Sequence, residues 1–191
     1  MLSRKGTPLR IFSFLFLVVS LISCGGGGSE NTGKNMWYER IEGWQTRELA
    51  CLEYPEYNYD QSDFIVEESV LRDINREVFH SNKYVKDEGI DFWQTSCETI
   101  QYAEGDCEDL AILVWRKLRA KGYPDKINGM ILSERDGLFH VFVAVYYSED
   151  DFYIIDPTGY FTFNVVPGRE FLNTEKINLI LWFNMFLIRE L

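Results

Sequence analysis

The sequence is short of positive charge and of histidine. Its 191 residues carry 19 Lys and Arg against 30 Asp and Glu, for a formal net charge of −11, and they include only two histidines. An acidic surface repels phosphate backbones, so we expect no nucleic-acid partner, and cationic substrates or divalent metals fit the charge better. With 46% hydrophobic and 16% aromatic residues, the chain still has enough apolar material for one packed domain.

The chain also lacks an apolar run long enough to span a membrane comfortably. The run nearest the N-terminus covers residues 11–22 and follows the basic residues Arg4, Lys5 and Arg10, which is the layout of a secretory signal. A second apolar stretch, residues 177–188, is interrupted by asparagines. It predicts a core helix or strand, with a segment that lies on the membrane surface as the alternative.

The signal segment ends in residues 21–24 (LISC), which resemble the lipobox of bacterial lipoproteins. The resemblance implies a signal peptide over 1–23, an acylated Cys24 with a Gly-rich tether over 24–35, and a folded domain over 36–191. It also implies a membrane-anchored protein of the cell envelope, periplasmic or on the surface. Because no aspartate follows Cys24, the resemblance implies the outer membrane if the cell is Gram-negative. An ordinary signal peptide with a chance cysteine is the alternative.

Cysteine is scarce, with four residues in the chain. Acylation of Cys24 leaves Cys51, Cys97 and Cys107. Export to an oxidising compartment favours disulfides, so Cys51 pairs with Cys97 in one reading and leaves Cys107 as a free thiol. In the other reading all three thiols are free, and sequence alone does not decide the pairing.

The sequence predicts helices in the first part of the chain and strands after them. Residues 36–60 are rich in aromatic residues and are expected to be irregular, a helix is predicted over 63–80, and 81–104 are expected to be mostly loop. The clearest helical periodicity covers 107–121, where acidic residues at the start and basic residues at the end both complement the helix dipole. Gly122 then ends that helix.

Beyond this helix the apolar period changes to two. Strands are predicted over 127–133, 138–147 and 152–156, and the last two are joined by a four-residue turn, 148–151. The domain is therefore expected to be α+β, with helices first and an antiparallel sheet after them.

Cys107 is the candidate nucleophile, because a thiol at a helix N-terminus ionises more easily and the thiolate is the attacking form. Its neighbours Asp106, Glu108 and Asp109 oppose that ionisation. A positively charged imidazole or a bound cation would compensate, which makes the three acids candidate ligands for Ca²⁺. The alternative is that they only satisfy the N-terminus of the helix.

His140 and Asp156 follow Cys107 in the order that a Cys–His–Asp hydrolase needs. His140 stands in the middle of an apolar strand, where a polar ring needs a partner. A four-residue turn would set Asp156 opposite Val143, on the other face of the sheet from His140. A bulge or a slipped register is therefore required to bring the two together.

The part of the chain between Ile74 and Thr158 resembles the core of bacterial transglutaminase-like cysteine proteinases. The matching segments are Ile74-Asn75, Tyr84, 91–95 (DFWQT), Glu98-Thr99, 105–113 (GDCEDLAIL), 118–123 (LRAKGY), His140-Val141 and 155–158 (IDPT). The resemblance implies a papain-like core in which the Cys-bearing helix packs on an antiparallel sheet that carries the histidine and the aspartate.

It also implies roles for the residues. Cys107 would be the nucleophile, His140 the general base and then acid, and Asp156 the group that orients the imidazole. In one branch of the family Ca²⁺ is bound by acidic residues beside the nucleophile, where this chain has Asp106, Glu108 and Asp109. The Cys107 amide is one expected oxyanion donor, and the second candidates are Gln94, Gln101 and the Trp93 indole.

The expected function is that of a lipid-anchored cysteine hydrolase, a peptidase working through a thioester acyl-enzyme on a protein or peptide substrate of the cell envelope. Three alternatives remain open: acyl transfer that cross-links proteins, a peptidoglycan amidase, and a non-catalytic module that binds a peptide in the same cleft. A shared fold hosts many functions, so the resemblance does not choose among them.

Overall fold

The computed structural model of the chain describes residues 31–52, 64–89 and 91–191. The predicted signal peptide and the lipid attachment site Cys24 lie outside the described residues, as does Asp63, the predicted cap of the first helix. Within the described residues, no helix is both long and apolar enough to cross a membrane.

The elements form one large sheet with helices on both of its faces. The helices are α1 (Asn31–Cys51), α2 (Glu68–Ser81), α3 (Ser96–Tyr102), α4 (Cys107–Ala120) and α5 (Gly168–Glu175). The strands are β1 (Lys83–Tyr84), β2 (Glu104–Gly105), β3 (Asn128–Arg135), β4 (Leu138–Tyr146), β5 (Phe152–Ile155), β6 (Val166–Pro167), β7 (Asn178–Phe183) and β8 (Ile188–Glu190). Strands β1 and β2 form a small parallel pair, and the other six form an antiparallel sheet in the order β6-β5-β4-β3-β7-β8. The predicted α+β class is confirmed.

Helix α4 lies at the centre of the molecule, as its periodicity predicts. Its apolar residues from Leu110 to Leu118 are almost fully buried against β3 and β4. The basic side chains of Lys117 and Arg119 lie in its last turn, where they complement the helix dipole. Burial therefore fixes the start of α4, and with it Cys107, against the sheet.

The expectation of irregular structure over 36–60 is wrong for residues 36–51, which lie in α1. Trp37, Ile41, Trp44 and Glu48 are buried at spacings of four, three and four residues, which is one stripe of a helix. The stripe is narrow and polar residues surround it, so the helical signal in the sequence is weak. The start of α1 at Asn31 also lies inside the segment expected to be a tether.

The segment 81–104 contains regular structure that the sequence analysis missed. Helix α3 begins after Thr95, whose hydroxyl accepts a hydrogen bond from Glu98 N–H while the Glu98 carboxylate accepts one from Thr95 N–H. This Thr-x-x-Glu pattern is a capping box and could have been read from the sequence. The predicted first helix also begins later than expected, at Glu68.

A disulfide joins the end of α1 to α3. It links Cys51 to Cys97, with 5.9 Å between their Cα atoms. The structure thus decides the pairing that the sequence left open, and among the described residues Cys107 is the free cysteine.

The two faces of β4 carry different layers, as the alternation predicts. Val141, Val143 and Val145 pack toward α4, whereas Phe142 and Ala144 pack in a second cluster on the other face, near α5. A tight turn at Asp136-Gly137, both with positive φ, joins β3 to β4, which is the geometry of a two-residue type I′ hairpin.

The register between β4 and β5 differs from the predicted one by one residue. Tyr146, not Tyr147, lies opposite Phe152, and Val143 lies opposite Ile155, so residues 147–151 form a five-residue connection. Continued by one residue, this register places Asp156 opposite Phe142, on the same face as His140. The slipped register that the sequence analysis required is therefore present.

The apolar stretch 177–188 is a strand and not a helix. Its residues form β7, which pairs with β3, and the turn into β8. Phe183 packs in the core under α4, and Trp182 packs in the cluster on the opposite face. This tail therefore completes the sheet on the side away from β5.

Candidate active site

Cys107 is the first residue of α4 and is half-buried. Its N–H belongs to the first turn of the helix, where the amides have no partner within the helix. The Val141 N–H of β4 donates toward Cys107 Sγ, and Glu108 Oε2 lies 3.1 Å from the same sulfur. Strand β4 therefore touches the thiol through the residue that follows His140.

His140 and Asp156 lie together on the β4–β5 pair. His140 Nε2 is 3.2 Å from Asp156 Oδ1, and both side chains are almost fully buried. The separation is within hydrogen-bonding distance, but Nε2 is not aligned for a hydrogen bond. Because Nε2 faces Asp156, Nδ1 is the other ring nitrogen, and His140 and Cys107 line the same cavity.

Asp156 is held from three further directions. Its Oδ1 accepts hydrogen bonds from Thr158 N–H (3.0 Å) and Thr158 Oγ1 (2.7 Å), and its Oδ2 accepts one from Phe161 N–H (2.7 Å). Burial acts to raise the pKa of Asp156, but His140, Thr158 and Phe161 outweigh it and lower that pKa below its usual value. Asp156 is therefore an ionised carboxylate with its lone pairs occupied.

Four carboxylates form a cluster on the other side of the thiol, which we call the acidic side. Ligand atoms of Asp87, Asp91, Asp106 and Glu108 lie within 4.8 Å of one another, and Asp106 and Glu108 are buried. Burial raises the pKa of both buried carboxyls, and neighbouring carboxylates raise it further. Asp106 Oδ1 and Glu108 Oε1 are buried with no hydrogen-bond partner among the described residues. Such atoms are what a cation would coordinate.

These acids act directly on the thiol. Burial, followed by the charges of Glu108 and Asp106, raises the pKa of Cys107 well above that of an ordinary thiol. The helix N-terminus favours the thiolate, but in this arrangement it is outweighed. The conflict between dipole and acids expected from the sequence is therefore present in the structure.

Asp109, the third candidate ligand, points elsewhere. Its Oδ1 accepts a hydrogen bond from Gln94 N–H (2.7 Å) and its Oδ2 accepts one from Asp106 N–H (3.2 Å). Burial and the nearby charge of Asp106 raise its pKa to about 8. Asp109 ties the preceding loop to the start of α4 and lies outside the four-carboxylate cluster. A side chain on Gly105 would collide with it, since an added Cβ would lie 2.6 Å from Asp109 Cβ.

Asp87 and Asp91, which the sequence analysis missed, come from the loop between β1 and α3. Asp87 accepts a hydrogen bond from Phe92 N–H, and Asp91 forms an ion pair with Arg40 of α1. Two acids four residues apart in a loop carry no periodic signal. Only the folding of this loop over the start of α4 brings them to Asp106 and Glu108.

Cys107 and His140 both line a cavity of about 550 Å³. Trp37, Phe139 and Tyr160 contribute aromatic walls to it, and the four clustered carboxylates lie along it. A cavity of this volume, lined by aromatic and acidic side chains beside a free thiol, fits a peptide-sized ligand.

None of the predicted second oxyanion donors lines this cavity. Trp93 is buried between the rings of Trp37 and Phe183, at centroid distances of 6.4 and 5.5 Å. Gln94 uses its backbone N–H on Asp109, and Gln101 is exposed on α3. Tyr84, in contrast, lines the cavity, and burial together with the charges of Cys107, Asp106, Glu108 and Asp156 raises its pKa to about 12.

Comparison with known proteins places the fold. No family model and no curated protein matches the chain. Among solved structures it is similar to Legionella pneumophila LapG, with a TM-score of 0.56 and 17% sequence identity over 78% of this chain and 87% of that one. The calcium-bound LapG structure gives the same TM-score and identity over 86% of this chain and 81% of that one, and the EGTA-treated structure over 78% and 84%. At this identity the likeness concerns the fold alone, and the chain shares the mixed helix and antiparallel-sheet fold of LapG.

Proposed function

We propose that this protein is a cysteine hydrolase that cleaves peptide bonds of a cell-envelope protein or peptide through Cys107, His140 and Asp156. The observation that carries the proposal is the 3.2 Å contact between His140 and Asp156 on the wall of the cavity that holds the free thiol. The likeness in fold to LapG agrees with it. A binding-only module has no need for a buried, hydrogen-bonded aspartate behind its histidine.

In the first half of the reaction, His140 Nδ1 takes the proton of the Cys107 thiol as the sulfur attacks the substrate carbonyl carbon. The new S–C bond displaces the carbonyl electron pair onto oxygen, and the Cys107 N–H donates a hydrogen bond to that oxyanion. Asp156, ionised and held by Thr158 and Phe161, stabilises the imidazolium. When the intermediate collapses, the C–N bond breaks and His140 gives its proton to the departing amine.

In the second half, His140 takes a proton from a water molecule that attacks the thioester. The C–S bond breaks, the carboxylic product leaves, and the proton returns to the Cys107 sulfur.

We further propose that Asp87, Asp91, Asp106 and Glu108 hold a Ca²⁺ ion. The unpartnered buried atoms Asp106 Oδ1 and Glu108 Oε1 fit a hard cation, which takes carboxylate oxygens. Solved structures of LapG include a calcium-bound and an EGTA-treated form. A bound cation supplies positive charge that offsets the effect of the acids on Cys107.

Alkylation of Cys107 by iodoacetamide across pH tests both proposals. The full chain is purified in detergent as wild type, His140→Ala and Cys107→Ser, and labelling is located by mass spectrometry with Ca²⁺ or with EDTA. We expect an apparent pKa for Cys107 below about 8.5 with Ca²⁺, a higher value in His140→Ala, and slower labelling with EDTA. His80→Ala is the matched control, because His80 is exposed on α2.

An inert Cys107 thiol under all of these conditions would overturn the hydrolase and favour the binding module. Equal labelling rates with Ca²⁺ and EDTA would contradict the proposed calcium site and would not affect the proposed triad. Formation of an isopeptide product in the presence of an added primary amine would instead identify acyl transfer.

We also propose that Cys24 carries a lipid that anchors the protein to the cell envelope, on the periplasmic side or at the surface, and in the outer membrane if the cell is Gram-negative. The support is the LISC sequence and the Gly-rich segment after it. Wild-type protein should incorporate labelled palmitate and sediment with membranes, and Cys24→Ser should do neither. Palmitate incorporation by Cys24→Ser would contradict the assignment.

A further inference from the structure

The cavity around Cys107 needs a second hydrogen-bond donor if a carbonyl is to be attacked there. The Cys107 N–H supplies one donor at the start of α4. Four of the polar side chains that line the cavity are carboxylates, which accept hydrogen bonds and repel an oxyanion. The Thr158 hydroxyl donates to Asp156 and is already used. A neutral donor fixed close to Cys107 is the missing part.

Tyr84 is fixed to the chain segment that leads into Cys107. It lies opposite Gly105 in the parallel β1–β2 pair, and Gly105 is two residues before the nucleophile. Two backbone hydrogen bonds hold this pair, Lys83 N–H to Ala103 O at 2.9 Å and Val85 N–H to Gly105 O at 3.0 Å. The backbone of Tyr84 is therefore set relative to the start of α4 by a short, direct connection.

The Tyr84 side chain extends along the cavity wall. Half of it is exposed (52%), and it lines the same cavity as Cys107 and His140. The charges of Cys107 and Asp156 both act on its hydroxyl, so the hydroxyl lies within electrostatic range of both ends of the triad. The hydroxyl makes no hydrogen bond to any side chain or backbone group in residues 31–52, 64–89 or 91–191. It is therefore free to donate one to a ligand.

We propose that the Tyr84 hydroxyl is the second oxyanion donor, acting beside the Cys107 N–H on the tetrahedral intermediate. This rests on the proposed hydrolase function. As the S–C bond forms, the carbonyl electron pair moves onto oxygen and the thiol proton moves to His140. Tyr84 keeps its own proton and donates a hydrogen bond to the new oxyanion, which disappears when the C–N bond breaks. Its phenol suits this role because it is neutral and does not repel the oxyanion.

Two electrophiles that both react with Cys107 separate this role from a structural one. p-Nitrophenyl acetate acylates the thiol through a tetrahedral oxyanion, whereas iodoacetamide alkylates it by direct displacement, with no oxyanion. In the full chain with Ca²⁺, we expect Tyr84→Phe to slow acylation about 100-fold and to leave alkylation within about twofold of wild type. Retained alkylation also shows that the variant is folded around the thiol.

Tyr102→Phe is the matched control, because Tyr102 is exposed at the end of α3 and does not line the cavity; it should leave both rates unchanged. Lys86→Met and Tyr160→Phe test two other donors that line the cavity. The proposal is overturned if Tyr84→Phe slows acylation no more than alkylation, or if either of these two variants causes the selective loss and Tyr84→Phe does not. A wild-type thiol that reacts with neither electrophile would instead overturn the hydrolase function itself.

Discussion

The carboxyl groups on the two sides of Cys107 differ in how the protein compensates their charge. On the imidazole side, Asp156 is buried, accepts three hydrogen bonds and has a lowered pKa. On the acidic side, the carboxyls of Asp106 and Glu108 are equally buried, retain unpartnered oxygens and have raised pKa values. Hydrogen bonds from the chain stabilise the charge of Asp156, whereas Asp106 and Glu108 each keep one buried oxygen without such a bond.

This difference separates the parts of the site that are preorganised from the part that depends on a ligand. The imidazole side is complete in the chain alone, because Thr158 and Phe161 come from the loop that directly follows Asp156. The acidic side brings Asp87 and Asp91 to Asp106 and Glu108 at the start of α4, with like charges close together. Such a cluster costs free energy unless protons or a cation neutralise it. If the proposed function is correct, the reactivity of the thiol depends on whether the acidic side is neutralised.

Removing the charge on the imidazole side should have the largest effect. We expect Asp156→Asn to lower the turnover of p-nitrophenyl acetate by about 10³- to 10⁴-fold, because the imidazolium loses its compensating charge and the ring its orientation. The dependence of the remaining activity on Ca²⁺ should persist. Asp136→Asn, in the exposed turn between β3 and β4, is the control. If Asp156→Asn retained more than a tenth of the activity, the claim that the charge of Asp156 is essential to the imidazole side would be contradicted.

An isosteric change on the acidic side should give the complementary result. Glu108→Gln keeps the shape of the side chain and removes the negative charge of one ligand from the cluster, which weakens its attraction for a divalent cation. For wild type, Ca²⁺ at about 100 times its Kd should raise the free energy of unfolding by about 2.7 kcal/mol relative to chelator. For Glu108→Gln we expect most of this increase to vanish, with a stability in chelator at least equal to that of wild type. Denaturant unfolding with Ca²⁺ or EGTA measures both quantities, and a full Ca²⁺ response in the variant would contradict the ligand set.

A smaller effect is expected on stability in acid. The folded-state pKa of Asp156 is lowered, so its contribution is present above the unfolded value of about 3.9 and is lost as pH falls through the folded value. Asp156→Asn should therefore be less stable than wild type by about 1–3 kcal/mol at neutral pH, and the difference should shrink on acidification. Urea unfolding from about pH 6 to about pH 3 measures this trend. A difference that stays constant with pH would show that Asp156 is not held as the ion.

The helix that carries the thiol could be read directly from the sequence. In α4 the apolar period, the acidic first turn and the basic last turn all agree, so local and tertiary preferences favour the same element. Helix α1 shows the opposite case, because its buried stripe contains only a few residues and its packing partners lie far along the chain. Local periodicity was too weak there to outweigh a polar, aromatic-rich composition.

The relation of His140 to Asp156 depended on a single residue of strand register. A loop over 147–151 places both on one face, and a loop over 148–151 places them on opposite faces. Residues 147–151 (YSEDD) contain several turn-forming residues, so composition does not fix where β4 ends. The order of the two residues is visible in the sequence, and their contact is not.

The sequence by itself determined the thiol at a helix start, the acidic residues around it and the period-two strands that follow, because each is a local pattern within one element. Only the tertiary structure decided that Asp87 and Asp91 join the acidic side, that Asp109 leaves it, and that Cys51 pairs with Cys97. Those outcomes depend on where α1 and the loops pack around α4, and the contact between His140 and Asp156 depends on a one-residue register between strands. Long-range packing sets both, and no local spacing encodes them.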